Sequence, residues 1–189
     1  MDRLSEKILA DKARNRDRAA MKELYSLYSG YLNAVCLRYI ANPEQAKDIL
    51  QDSFVKIFTS MDKFRFRGEG SLKAWMKRIV INEALKYLQR HVKKDPLADA
   101  AELKDMPDTR DDDTGIGDIP APVIHEMIKR LPDGYRTVFN LYVFEDKSHK
   151  EIAALLGIRE NSSASQLYHA KALLAKWINE YRSKTNLSH

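Results

Sequence analysis

Three features of the sequence predict an all-α chain built as two small helical halves. Apolar residues recur at three- and four-residue spacing through each long patterned stretch. No stretch keeps the two-residue alternation of a strand for long enough to compete. Between the halves, residues 95–122, "DPLADAAELKDMPDTRDDDTGIGDIPAP", hold four prolines, two glycines and an acidic run, so they read as a flexible linker without a fold of its own.

Before that linker the spacing predicts three helices. In "RDRAAMKELYSLYSGYLNAVCLRYI" Leu24, Leu27, Tyr28, Tyr31, Leu32, Val35 and Tyr39 form one stripe. Asn42-Pro43 interrupts it: the asparagine can cap a new helix and proline suits the first helical position. The second helix, "PEQAKDILQDSFVKIFTSM", is expected to bury Ala46, Ile49, Leu50, Ser53, Phe54, Ile57, Phe58 and Met61. After the loop "DKFRFRGEG", Ser71 can cap a third, "SLKAWMKRIVINEALKYLQRHVKK", whose buried side is Leu72, Trp75, Met76, Ile79, Ala84, Leu85 and Leu88. The opening residues, "MDRLSEKILADKARNRDRAA", are charged throughout and lack the apolar stretch of a secretory signal.

After the linker four shorter helices are expected, at about 121–131, 134–144, 148–156 and 161–181. Pro132-Asp133-Gly134 marks one junction, Ser148 with Glu151 makes a capping box at another, and Gly157 supplies the turn between the last two. Ile152, Leu155, Leu156 and Ile158 should pack inward against a stripe of Leu167, Ala170, Leu174 and Ile178.

Composition narrows the function. With 44% apolar and 31% charged residues the chain reads as globular, and no run of 18 apolar residues could span a membrane. A single cysteine, Cys36, excludes an internal disulfide and fits a reducing cytoplasm. The five histidines stand far apart, so no zinc site is expected. Nor is there a nucleophile–base pair or a phosphate loop, so neither an enzyme nor a cofactor is expected. The net charge of +5 is unevenly spread: residues 1–94 carry +9, residues 95–122 carry −7 and residues 123–189 carry +3. Two basic blocks on either side of an acidic strap suggest polyanion binding at both ends.

Three patterns carry that suggestion further. In the third helix Lys77, Arg78, Asn82, Lys86, Arg90 and Lys93 make a basic row with an asparagine inside it, suited to phosphates and a base edge. Phe64, Phe66 and Trp75 beside it could stack on unpaired bases, although Trp75 on its own reads better as core. In the second helix Asp48, Gln51, Asp52 and Val55 line up opposite the apolar stripe. An acidic line containing a valine suits a protein partner rather than DNA. In the last two helices, the glycine turn gives the outline of a helix-turn-helix, with Arg159, Ser162, Ser163, Ser165, Gln166 and His169 expected at the exposed start of the reading helix and Lys171 as its firm positive charge. A plain helical hairpin with a polar face is the alternative for this block.

Together these segments resemble an extracytoplasmic-function (ECF) sigma factor of bacterial RNA polymerase over nearly the whole chain. "NPEQAKDILQDSFVKIF" is similar to the family's segment that binds the polymerase clamp helices, which implies Asp48, Gln51, Asp52 and Val55 as contacts with core polymerase. "FRGEGSLKAWMKRIVINEALKYL" is similar to the segment that melts and reads the −10 element. The match implies a base-trapping loop at residues 66–71, with Phe66, Arg67, Gly68 and Ser71. It also implies strand contacts along the helix from Trp75, Lys77, Arg78, Asn82, Lys86 and Arg90. "SHKEIAALLGIRENSSASQLYHAKALL" is similar to the −35-reading domain, whose readers would then be Arg159, Ser162, Ser163, Ser165, Gln166, His169 and Lys171. Family members usually carry Lys or Arg where this chain has Ala164, Gln166 and His169, so its C-terminal half should hold DNA weakly by itself.

The implied plan is region 2 at residues 1–94, an acidic linker at 95–122 running toward the RNA exit path, and region 4 at 123–189. Promoter DNA and core polymerase are the implied partners. An anti-sigma factor is a further expectation of the resemblance. Two alternatives stay open from the residues alone: an autonomous DNA-binding regulator, and a recombinase or nuclease with a helix-turn-helix tail.

Overall fold

The computed structural model describes residues 5–91 and 119–186, and among these the regular structure is helical throughout. Two compact units divide the chain after His91. Nearly all of the acidic linker, and Lys93 of the basic row, lie outside the described residues.

The first unit contains α1 (Glu6–Arg14), α2 (Arg18–Tyr39), α3 (Pro43–Thr59), a single 3-10 turn (Met61–Lys63) and α4 (Ser71–His91). Helices α2, α3 and α4 pack pairwise. Their shared core takes Leu24, Leu32, Val35 and Tyr39 from α2, Ala46, Ile49, Phe54 and Ile57 from α3, and Leu72, Met76, Val80 and Ala84 from α4. Each large apolar side chain in such a core contributes about 1.5–3 kcal/mol. Asn42 caps α3 as its sequence predicts: the side-chain oxygen accepts from the Glu44 and Gln45 amides at 3.0 and 3.1 Å, with Pro43 in the first turn. Ser53 is buried because its hydroxyl donates back to the Ile49 carbonyl at 2.7 Å. Cys36 lies in the same core, where burial pushes its thiol up to about 12, out of the reactive range.

Helix α1 is absent from the expectation. Its charges hide a narrow apolar face, Leu9, Ala10 and Ala13, which is buried against α2 and the 3-10 turn. Ser5 caps it, Arg16 turns the chain at φ 60°, and Asp17 caps α2 by accepting from the Ala20 amide at 3.0 Å.

The second unit contains α5 (Ala121–Arg130), α6 (Asp133–Val143), α7 (His149–Leu156) and α8 (Glu160–Asn186). Helix α8 is the element on which the others pack. Ile119, Met127, Ile128 and Leu131 meet Ala170, Leu174 and Ile178, with Tyr135, Phe139 and Trp177 around them. The Ser148–Glu151 capping box forms, and Gly157 ends α7 at φ 67°, the left-handed conformation glycine adopts without strain. One expectation fails here: Leu155 does not pack inward but is 39% exposed, while Leu156 and Ile158 are only half-buried. The buried side of α7 is centred between Ile152 and Ala153, helical phase turns Leu155 about 110° away from that centre, and Ile158 lies beyond the helix end.

Arg136 fixes the α5–α6 corner. It is buried, pairs with the Asp133 carboxylate, and donates to the Leu131 carbonyl at 2.8 Å and the Lys129 carbonyl at 3.1 Å. These are the carbonyls that the end of α5 would otherwise leave unsatisfied. Arg136→Ala should therefore destabilise the second unit by about 2–4 kcal/mol. Each unit has one tryptophan, Trp75 or Trp177. The loss is therefore read from Trp177 fluorescence during urea unfolding in a Trp75→Phe background. An unchanged midpoint would contradict this role.

Candidate nucleic-acid interface

On α3 the residues opposite the core stripe stand out in solvent as the spacing requires. Asp48, Gln51, Asp52 and Val55 are all exposed, Val55 by 63%. Tyr25, from α2, is also exposed and its ring rests on Phe54 at 4.7 Å, a neighbouring apolar surface that the sequence pattern did not single out. A line of two carboxylates around an exposed valine repels phosphate and leaves apolar area to cover, which suits a protein surface.

On α4 the basic row is real but narrower than expected. Arg78, Asn82, Lys86 and Arg90 are exposed and follow at four-residue steps, which places them along one side of the helix. Lys77 is half-buried at the edge of that line. Glu83 interrupts the positive field and is the anchor of a small network. Its carboxylate takes hydrogen bonds from Lys86, at 3.1 Å, and from Lys56 of α3. Burial alone would raise the Glu83 pKa, but the two ammonium groups outweigh it and hold the carboxyl below its ordinary range. Lys56 is raised in return, first by its hydrogen bond to Glu83.

The loop before α4 is open at its tip. Phe66, Arg67, Glu69 and Gly70 are exposed, and Gly68 and Gly70 adopt φ of 116° and 87°, conformations closed to most other residues. Ser71 does not cap α4 in the expected way. Its hydroxyl donates to the Gly68 carbonyl at 2.6 Å and accepts from the Arg67 amide at 3.2 Å, closing the loop on itself. Phe64 is corrected from stacking residue to core: it is 2% exposed and packs on Trp75 with centroids 5.4 Å apart. Trp75 is half-buried by that contact, and Phe66 is the aromatic ring left at the surface. Lys73, over the Tyr31 ring at 4.1 Å, is a further cation beside the loop that the pattern missed.

The reading helix needs the larger correction. Ser162, Ser163, Ser165 and Gln166, expected at the exposed start of α8, are all buried. Ser163 meets the His149 ring nitrogen at 3.0 Å, and Gln166 lies where α6 comes so close that a Cβ on Gly134 would stand 3.0 Å from its side-chain oxygen. His169 is half-buried, stacked on Tyr135 at 5.6 Å. His149 stacks on Tyr142, and burial lowers its pKa, with Glu160 opposing and Lys171 adding to the fall. The exposed side of this helix start is instead Arg159, Glu160, Asn161 and Lys171, with Ala164 and Tyr168 half-buried between them. The signal was present: stepping back from Ala170 by three or four residues reaches Leu167, Gln166 and Ser163, all on the core stripe whatever their polarity. An open cleft of about 410 Å³ lies beside the turn, lined by Gly157, Ile158, Arg159 and Ser162.

Among the described residues no group of His, Cys, Asp and Glu could hold a metal ion, and no helix is long and apolar enough to cross a membrane.

Similarity to known proteins follows the same division. The Sigma-70 region 2 family model matches residues 24–94, and the Sigma-70, region 4 model matches residues 123–174. The chain is 26% identical to the ECF RNA polymerase sigma-E factor of Haemophilus influenzae, across 94% of this chain and 97% of that one. It is 24% identical to the RNA polymerase sigma-H factor of Pseudomonas aeruginosa, across 89% and 91%. A solved structure of the sigma factor RpoE with the anti-sigma factor NepR from Bartonella quintana aligns with a TM-score of 0.48 and 18% identity, covering 84% of this chain and 96% of that one. Two sigma-70 regions in this order, with relatives matched over almost their full length, establish that the chain belongs to the ECF sigma factor family of RNA polymerase.

Proposed function

We propose that the chain acts in the cytoplasm, binds core RNA polymerase through the outer face of α3, and directs it to promoters whose −10 region it helps to open. The observation that carries this reading is the straight exposed line Arg78, Asn82, Lys86 and Arg90, with the exposed loop of residues 66–71 just before its helix. The cations of that line, Arg78, Lys86 and Arg90, can follow the phosphates of one strand, while Asn82 offers both a donor and an acceptor to a base edge. Phe66, exposed at the loop tip, supplies a face on which an unstacked base can rest, with Arg67, Gly68 and Ser71 shaping the loop around it. Lys77 and Trp75 support the row from its buried side.

Asp48, Gln51, Asp52 and Val55 take the polymerase contact, because they form an exposed face chemically unlike the basic row of α4. In the second unit Arg159, Asn161 and Lys171, with Tyr168 beside them, form the face offered to the −35 element. Ser162, Ser163, Ser165 and Gln166 hold that face in place from beneath, and His169 does so through Tyr135. So few cations give the second unit a weak grip by itself, and polymerase supplies the platform that makes both contacts simultaneous. The acidic linker of residues 95–122 suits a path made for RNA, itself a polyanion. The α3 face and the −35 face are also where an anti-sigma factor would compete.

Four variants test the assignment. Asp48→Arg with Asp52→Arg should abolish co-elution with core polymerase while leaving the circular dichroism spectrum native. Retained affinity with a native spectrum would refute the α3 contact. Asn82→Ala should lower open-complex formation about tenfold with core binding unchanged, as the loss of one base-edge pair of about 1–3 kcal/mol requires. Equal losses in both assays would argue against a DNA role for Asn82. In the second unit, Lys171→Ala should weaken holoenzyme binding to a promoter and reduce the salt dependence by about one unit of slope. Ser163→Ala should instead lower the Trp177 unfolding midpoint and leave the slope unchanged, and the reverse pattern would restore the serine to the reading face.

A further inference from the structure

The N-terminal helix has a use that the family resemblance did not supply. The first turn of any helix leaves amide groups without partners, and Ser71, the local candidate to satisfy them, spends its hydroxyl inside the loop. The carboxylate that fills the place comes from Glu6, 64 residues earlier than Gly70. One Glu6 oxygen accepts from the Gly70 amide at 2.8 Å and the Leu72 amide at 3.3 Å. The other accepts from the Lys73 amide at 3.4 Å and the Tyr28 hydroxyl at 3.1 Å. Glu6 is 8% exposed, so this is a buried anion held entirely by donors at the head of α4 and by one tyrosine. An anion at a helix N-terminus is favoured by the helix dipole, and charge-assisted hydrogen bonds are the stronger kind.

The other end of α1 is fastened to the same loop. The Arg14 guanidinium donates to the Phe64 carbonyl at 3.2 Å and to the Met61 carbonyl at 3.5 Å, while pairing with Asp11 at 3.0 Å. Helix α1 therefore grips the backbone at Phe64 and again at Gly70, the two ends of the span that carries Phe66 and Arg67. Two glycines with positive φ lie within that span or at its end, and a Cβ at either would meet nothing within 4 Å. The loop is thus little supported by packing at these points, and its fixed ends limit its freedom.

We propose that α1 is a splint for the 66–71 loop, and that Glu6 and Arg14 are positioning residues for the capture of an unpaired promoter base. The inference rests on the reading above that this loop meets such a base. A loop already held in its bound shape loses less conformational freedom on binding, so affinity for the unpaired strand rises with no added contact.

The test uses holoenzyme and a promoter fragment that it selects from a randomised library, left unpaired across the −10 region. Glu6→Gln keeps the size of the side chain but loses the charge and turns one acceptor into a donor facing amides. It should bind this fragment about fivefold more weakly, the worth of a helix cap. Its affinity for core polymerase should be unchanged, and amide exchange at Gly70, Leu72 and Lys73 should accelerate ahead of the rest of α4. Arg14→Gln, at an exposed position that does not threaten folding, should move fragment binding in the same direction and decides the matter alone if Glu6→Gln does not fold. Phe66→Ala separates the two layers of argument. If Phe66→Ala binds the fragment as the wild type does, the base-capture reading fails. If Phe66→Ala weakens binding while Glu6→Gln and Arg14→Gln leave it intact, that reading stands and the splint is overturned.

Discussion

Helix α4 must bury one side completely and leave the other wet and positive, and the first unit is arranged around that demand. Leu72, Met76, Val80 and Ala84 have no measurable exposure, whereas Arg78, Asn82, Lys86 and Arg90 are open to solvent on the same 21-residue helix. The apolar contacts with α2 and α3 fix the rotation of α4 about its axis, and that rotation aims the basic line. A slip of one residue would turn each side chain by about 100°, bringing charge toward the core and apolar area toward solvent. Core packing and the proposed strand binding are therefore consequences of one amphipathic pattern.

The charges near this line are organised rather than merely summed. Glu83 draws Lys86 and Lys56 together across the α3–α4 boundary, and both lysines keep substantial exposure. Its lowered pKa means that the pairing stabilises the fold at pH values above the ordinary glutamate range. That contribution is lost as pH falls through the depressed folded-state value. Lys86 is thus oriented before any phosphate arrives, and a phosphate would have to compete with a carboxylate for it. Such competition lowers general affinity for polyanions, which suits a protein that is proposed to grip DNA only on the polymerase.

Most helices could be read from the sequence because their local signals agree with their tertiary contacts. Asn42-Pro43, Ser148 with Glu151, and Gly157 each do in the fold what their chemistry prescribes, and the α3 stripe is buried as its spacing requires except at Phe58, which is half-buried. Reading failed where polarity and position disagree. The hydrogen-bonding capacity of Ser162, Ser163, Ser165 and Gln166 points to a reading face, but helical phase carries them beneath α6 and α7. Asn161, exposed, and Tyr168, half-buried, lie on the outward side instead. Helix α1 is obscured by its charges, and the place of Glu6 is hidden because the amides it caps lie more than sixty residues away. A local reading of Ser71 as a cap had no means of finding a competitor at that distance.

In the proposed function the outer line of α4 touches the unpaired promoter strand once the chain is seated on polymerase. A photo-crosslinking residue placed at position 82 reports that contact directly, with promoter DNA labelled separately on each strand. The expected result is a crosslink to the non-template strand in the −10 region that appears only when core polymerase is present. A crosslink of equal yield without polymerase, or one formed only to duplex DNA elsewhere in the promoter, would contradict it.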